Sequence, residues 1–154
     1  YRQLVNSGLF CEAKDGRKIY LTSIYSKKEL FEKAKPYLTS QILKTGYINK
    51  KILPKRILCG ESLLSELSLL TPPRIAEYAV YHNKIDKLLL TNELIDPNEQ
   101  VKVELWNYDP LLFSKDNETT DIISLVISLF ETEDERIEIV LEQLLEKIWK
   151  EKSL

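Results

Sequence analysis

The strongest constraint on the fold is a hairpin signal near the start of the chain, within the stretch YRQLVNSGLFCEAKDGRKIYLTSI. The dipeptide Asp15-Gly16 lies between two runs in which apolar and polar residues alternate. This combination predicts two antiparallel strands joined by a tight turn. We therefore expect strands over residues 9–14 and 17–22, turning about Asp15-Gly16.

The residues before the hairpin have the pattern of a helix end. Residues 1–7 contain the apolar pair Leu4 and Val5, and Gly8 follows them. Glycine fits the left-handed position just past a helix, where a Cβ atom would be unfavourable. A helix that runs directly into a basic hairpin is how a winged helix-turn-helix ends.

Length and composition indicate one domain of ordinary size and a fragment of a second, in 154 residues. The chain starts at Tyr1 and contains no Met, so we expect a piece of a longer protein or a processed form. No apolar run reaches the roughly 18 residues that a membrane helix needs. Cys11 and Cys59 are isolated from each other. They favour free thiols in a reducing, cytoplasmic compartment, and a disulfide between them stays open as an alternative.

Charge is divided unevenly along the chain. Residues 1–60 hold 13 Lys and Arg against 4 Asp and Glu, and residues 61–154 hold 9 against 20. The balances are therefore +9 and −11, which sum to the net charge of −2. A basic end on an acidic body favours a polyanionic partner at the basic end, and an uneven solvated surface is the alternative.

The pattern after the hairpin predicts an α+β protein, with a truncated winged-helix element followed by a mixed α/β domain that ends in two helices. We expect a first domain over residues 1–24, a connecting helix over 25–40 and a C-terminal domain over 41–154. Ser26 and Glu29 form a capping box for the connecting helix. The further expected elements are a strand around Gly46, a strand RILCG ending at Gly60, a helix over Glu61–Leu70, strands over Ile75–Tyr81 and Val101–Trp106, a short helix over Lys84–Leu90, a buried helix over Asp121–Phe130 and a last helix capped by Thr132.

The last helix carries a narrow apolar stripe of Ile137, Leu141, Leu144 and Ile148. Such a stripe is typical of a face buried in the core of a monomer, and this is the interpretation we favour. Contact between two copies of the chain is the alternative.

No pattern of residues indicates catalysis, a metal or a cofactor. The chain lacks the phosphate-binding glycine loops, the nucleophile elbow and the zinc-protease motif. His82 is the one histidine, and Cys and His are too few for a zinc site. A carboxylate pair such as Asp109 with Asp116 has no motif that places its members together. We therefore predict that the protein is not an enzyme.

The segment RQLVNSGLF…DGRKIYL is similar to the end of the recognition helix and the wing of MarR-like winged-helix transcriptional regulators. The later segments SKKELFEKAKPYL, GESLLSELSLLTPPRIAEYAV, VELWNYDPLLF and DIISLVISLFETEDERIEIVLEQLLEKIW resemble the C-terminal region of bacterial winged-helix regulators. A more distant resemblance is to the winged-helix antitoxins of type IV toxin–antitoxin systems.

The resemblance implies a DNA-binding transcriptional regulator whose partner is double-stranded DNA, with no membrane partner. Arg2 and Gln3 match the distal part of a recognition helix, and Lys14, Arg17 and Lys18 match positions of a wing. The base-reading turns of that helix would precede Tyr1. The C-terminal domain would dimerise, sense a signal or hold a protein partner. An antitoxin-like module that binds a toxin is the alternative function.

Overall fold

The structure, a computed structural model, describes residues 11–22 and 25–152, and it describes no side chains for residues 11–15, 19–22 and 152. This part of the chain is α+β. Its strands are β1 (Cys11–Asp15), β2 (Lys18–Thr22), β3 (Ile42–Asn49), β4 (Glu77–Tyr81) and β5 (Gln100–Trp106). Its helices are α1 (Lys27–Ala34), α2 (Gly60–Glu66), α3 (Ile122–Ser128) and α4 (Glu135–Lys152). Across these residues, none of the helices is both long and apolar enough to cross a membrane.

The chain divides into two compact units, one of residues Tyr1–Thr39 with Ile148–Leu154 and one of residues Ser40–Lys147. The first contains the predicted hairpin, in which β1 pairs antiparallel with β2. The connection is Gly16-Arg17, one residue later than expected, because Asp15 pairs with Lys18. Gly16 has φ of 62°, which suits the first central position of a two-residue hairpin turn, where glycine is preferred.

The first unit also contains the capped helix α1. The backbone N–H of Glu29 donates to Ser26 Oγ at 3.2 Å, which confirms Ser26 as the predicted cap. A 3₁₀ turn, Lys35–Tyr37, continues the helix through Pro36. The rings of Phe31 and Trp149 lie 5.7 Å apart at a tilt of 53°.

The second unit is built on a three-stranded mixed sheet in the order β3-β5-β4. β5 is central, antiparallel to β3 and parallel to β4. Successive side chains of a strand point to opposite faces of the sheet, so β5 contributes to an apolar cluster on each face. Val103 and Leu105 lie in an apolar cluster with Ile48 and Val80, and Trp106 lies in a separate cluster that includes Cys59 and Ala79.

The prediction of a strand over the segment RILCG was wrong. The residues before Gly60 are not a strand, and Leu58 instead makes isolated bridges to Tyr78 and Thr119. The chain turns at Gly60, where φ is 57°, directly into α2. A Cβ atom on Gly60 would lie 2.9 Å from Glu77 Oε1, so a larger residue would have an unfavourable backbone angle and would displace the Glu77 carboxylate.

Helix α2 is shorter than the periodicity predicts, ending at Glu66 rather than Leu70. Ser68 Oγ donates to Leu64 O at 2.7 Å and accepts from Leu70 N at 3.2 Å. A serine side chain that bonds the local backbone in this way competes with helix continuation. Leu69 is consequently fully exposed.

The remaining elements agree more closely with expectation. β4, β5 and α3 lie within one or two residues of the predicted bounds, and Asp121 caps α3 through the Ser124 N–H. The segment predicted as one short helix over Lys84–Leu90 is two 3₁₀ turns, His82–Lys84 and Lys87–Leu89.

The last helix begins one residue after Asp134 rather than from a Thr132 cap. Asp134 Oδ1 accepts from Arg136 N at 3.0 Å, and Asp134 O accepts from Glu138 N at 3.1 Å. Thr132 Oγ1 instead accepts from the N–H of Asp134. Three members of the predicted stripe, Ile137, Leu141 and Leu144, are buried within the single chain, which confirms the core interpretation.

Candidate functional site

The structure describes only some of the residues that are predicted to contact DNA. Arg17 occupies the hairpin turn and Lys18 the first position of β2, and both side chains are exposed. The backbone of Lys14 lies in β1 opposite Ile19, and its side chain lies outside the described part. Arg2 and Gln3 lie outside the described residues altogether.

The hairpin carries two exposed cations at consecutive positions, one in the turn and one at the start of β2. A two-residue connection projects its central residues away from the strands, so Arg17 stands at the end of the hairpin and Lys18 at its base. Among the side chains that the structure describes, no carboxylate pairs with either of them. Two exposed cations at the end of a hairpin can bind phosphate oxygens, which fixes position on a duplex and reads little sequence.

A second charged cluster, which no sequence pattern indicates, lies inside the unit Ser40–Lys147, called the body below. Glu77 in β4 and Glu104 in β5 are each 6% exposed. Alternation along VKVELW places Glu104 on the face opposite Val103 and Leu105. A glutamate at such a position is ordinarily in water. Trp106, two residues further on the same face, is the signal that this face is covered too.

Glu77 is held by reciprocal hydrogen bonds to the start of α2. Its backbone N–H donates to Ser62 Oγ at 2.9 Å, and the N–H of Ser62 donates to Glu77 Oε1 at 3.2 Å. Lys102 Nζ lies 3.7 Å from Glu77 Oε2. Burial raises the pKa of Glu77; Lys102 opposes the rise and the charge of Glu104 adds to it. The pair Glu77–Ser62 thus joins β4 to α2.

Glu104 accepts hydrogen bonds from two buried donors. Trp106 Nε1 donates to Glu104 Oε1 at 3.1 Å, and the thiol of Cys59 is the second donor. Burial raises the pKa of Glu104 above its ordinary value, and the two hydrogen bonds partly offset that rise. Burial, with the charge of Glu104, also raises the pKa of the Cys59 thiol well above its usual range.

The thiol of Cys59 is poorly placed to act as a nucleophile. A thiol held protonated is a poor nucleophile, and Cys59 is fully buried. Within residues 11–22 and 25–152, no group of three or more His, Cys, Asp or Glu side chains is placed to hold a metal ion. Two surface cavities, one beside Glu61 and Arg136 and one beside Lys55 and Lys84, are not lined by any member of this cluster.

The other titratable residues named in the sequence analysis make contacts with residues close to them in the chain. Asp109 Oδ1 accepts from Leu111 N at 2.9 Å. Asp116 accepts from the N–H groups of Glu118 and Thr119, and these bonds lower its pKa. The ring of His82 stands edge-on to Tyr81, with centroids 4.9 Å apart.

Comparison with known proteins adds no family to this picture. The chain has no significant match to a known protein family, to a curated protein or to a solved structure.

Proposed function

We propose that the chain is part of a DNA-binding transcriptional regulator and that its hairpin is the wing, which contacts the phosphate backbone. The proposal rests on the exposed end of the hairpin, where Arg17 lies in the two-residue turn and Lys18 is the next residue, at the start of β2. The +9 balance of residues 1–60 gives the same end of the chain an attraction for polyanions.

In the proposed mechanism, one set of residues positions the protein on DNA and another recognises the base sequence. The tip neutralises phosphates and releases their counterions, which strengthens binding to every sequence alike. Base edges would be read by a recognition helix whose distal end includes Arg2 and Gln3, as the resemblance to MarR-like regulators implies. The acidic body then supplies dimerisation, sensing or a protein contact without competing for DNA, because its own charge repels phosphate.

The test uses the natural protein that contains this chain and two unrelated fluorescent duplexes of equal length. Arg17→Ala with Lys18→Ala should weaken binding to both duplexes by a similar factor, measured by anisotropy. The matched control is Lys115→Ala with Lys147→Ala, which removes two exposed lysines from the acidic part of the chain. Unchanged affinity in the hairpin variant, or an equal loss in the control, would contradict a wing.

A further inference from the structure

A surface cavity of about 310 Å³ opens where the two parallel strands of the body end. Its wall includes Val80 and Tyr81, the last residues of β4, and Asp109, Pro110 and Leu111, which follow β5. Ligands in open sheets with parallel strands bind outside the carboxyl ends of those strands. The volume is also at the lower end of the range for small-molecule sites, roughly 300–1,000 Å³.

The floor of this cavity is apolar and firmly held. Ile57, Val80 and Pro110 are buried side chains that contribute to it, and Leu111 is half-buried. The floor is fastened by a hydrogen bond from Ala79 N to Ile57 O at 2.9 Å. An apolar floor with a fixed backbone is a preformed site for a hydrocarbon group.

The rim carries more positive than negative charge. Lys55 and Lys84 contribute exposed ammonium groups, and Asp109 contributes one carboxylate that already accepts from Leu111 N. Among the described residues, neither lysine has a carboxylate partner. A ligand anion would therefore meet two uncommitted donors, and a charge-assisted hydrogen bond is stronger than a neutral one.

From this combination we infer that the cavity binds a small amphipathic carboxylate, with its hydrocarbon chain on the apolar floor and its carboxylate at Lys55 and Lys84. Medium-chain aliphatic acids fit both the volume and the charge pattern. The inference concerns the body alone and stands or falls independently of DNA binding.

The experiment titrates the purified 154-residue chain with octanoate, without DNA, by calorimetry and by amide NMR shifts. Octanoate should bind with stoichiometry near one and shift the amides of Tyr81 and Leu111. Octan-1-ol, which has the chain and lacks the charge, should bind about tenfold or more weakly. Absence of octanoate binding, or equal binding of the alcohol, overturns the inference.

Three variants test where octanoate binds. Lys55→Gln with Lys84→Gln should weaken octanoate binding about tenfold or more, since both charge-assisted contacts are lost. Lys27→Gln with Lys147→Gln removes the same charge at exposed positions that do not line the cavity, and it should leave the affinity unchanged.

Leu111→Trp narrows the cavity and should abolish binding, with folding checked by circular dichroism. Wild-type affinity in the first or third variant contradicts the assignment.

Discussion

The hairpin tip and the sheet of the body hold charge in opposite ways. At the tip, Arg17 and Lys18 are exposed and have no carboxylate partner among the described side chains. In the sheet, Glu77 and Glu104 are almost fully buried, and each accepts hydrogen bonds from neighbouring buried groups.

The difference indicates which charges are available to a partner. A buried carboxylate must be satisfied inside the protein, because an unpaired one would be strongly unfavourable. Its substitution therefore acts on stability and on the pH dependence of stability. A cation on an exposed turn contributes little to folding and remains free to bind an anion. Substitutions in the two regions should thus have separable effects.

The largest effect on stability is expected in the apolar core beside the acidic cluster. Leu105→Ala removes a side chain that is 2% exposed and should lower the free energy of unfolding by about 2–5 kcal/mol. Leu69→Ala is the matched control, since Leu69 is fully exposed, and it should change stability by less than about 0.5 kcal/mol. Urea denaturation measures both. Equal effects would show that the sheet does not hold the core of the body.

A smaller effect is expected where Ser62 ties α2 to β4. Ser62→Ala leaves the buried N–H of Glu77 without its acceptor, at a cost of about 1–3 kcal/mol. Ser65→Ala, in the same helix, removes only a hydroxyl that donates to the Ser62 carbonyl, so its cost should be clearly smaller. If both variants lose the same stability by urea denaturation, the reciprocal Glu77–Ser62 bonds are not what joins these elements.

The smallest stability effect is one of pH. Burial raises the pKa of Glu104 in the folded protein, so the folded state binds more protons than the unfolded state between the two pKa values. Stability is then full below the ordinary pKa of glutamate and falls as pH rises through the raised value. Glu104→Gln has no carboxyl group to titrate, so it removes this loss of stability at higher pH.

The free energy of unfolding of Glu104→Gln, relative to wild type, should therefore increase from about pH 4 to about pH 8. Urea denaturation across that range measures it. Glu142→Gln, on the exposed side of α4, controls for the change in net charge. A difference that is flat or falls with pH would mean that folding does not raise the pKa of Glu104.

Local signals in the sequence predicted the elements whose cause is local. The alternation of VKVELW, the Ser26 cap and the Asp121 cap are each visible in a few residues, and β5, α1 and α3 follow them. The irregular path of residues 56–59 and the turn into α2 at Gly60 depend on contacts with distant residues. Leu58 pairs with Tyr78 and Thr119, and Gly60 lies against Glu77. No window of sequence contains both partners.

The candidate sites also differ in whether a local sequence signal could reveal them. Arg17 and Lys18 could be singled out because a hairpin turn is a local feature. The burial of Glu104 could not, since it requires Cys59 to lie against the sheet from a segment 45 positions earlier in the sequence. The cavity beside Lys55 and Lys84 likewise forms only when residues 54–57 pack along β4.

The assignment of the hairpin as a wing is tested by the salt dependence of duplex binding by the natural protein. The logarithm of affinity should fall linearly with the logarithm of salt concentration. Arg17→Ala with Lys18→Ala should reduce the slope by about 2, one for each lost phosphate contact, while Lys115→Ala with Lys147→Ala keeps the wild-type slope. Salt-insensitive binding, or a hairpin variant with the wild-type slope, would contradict the account.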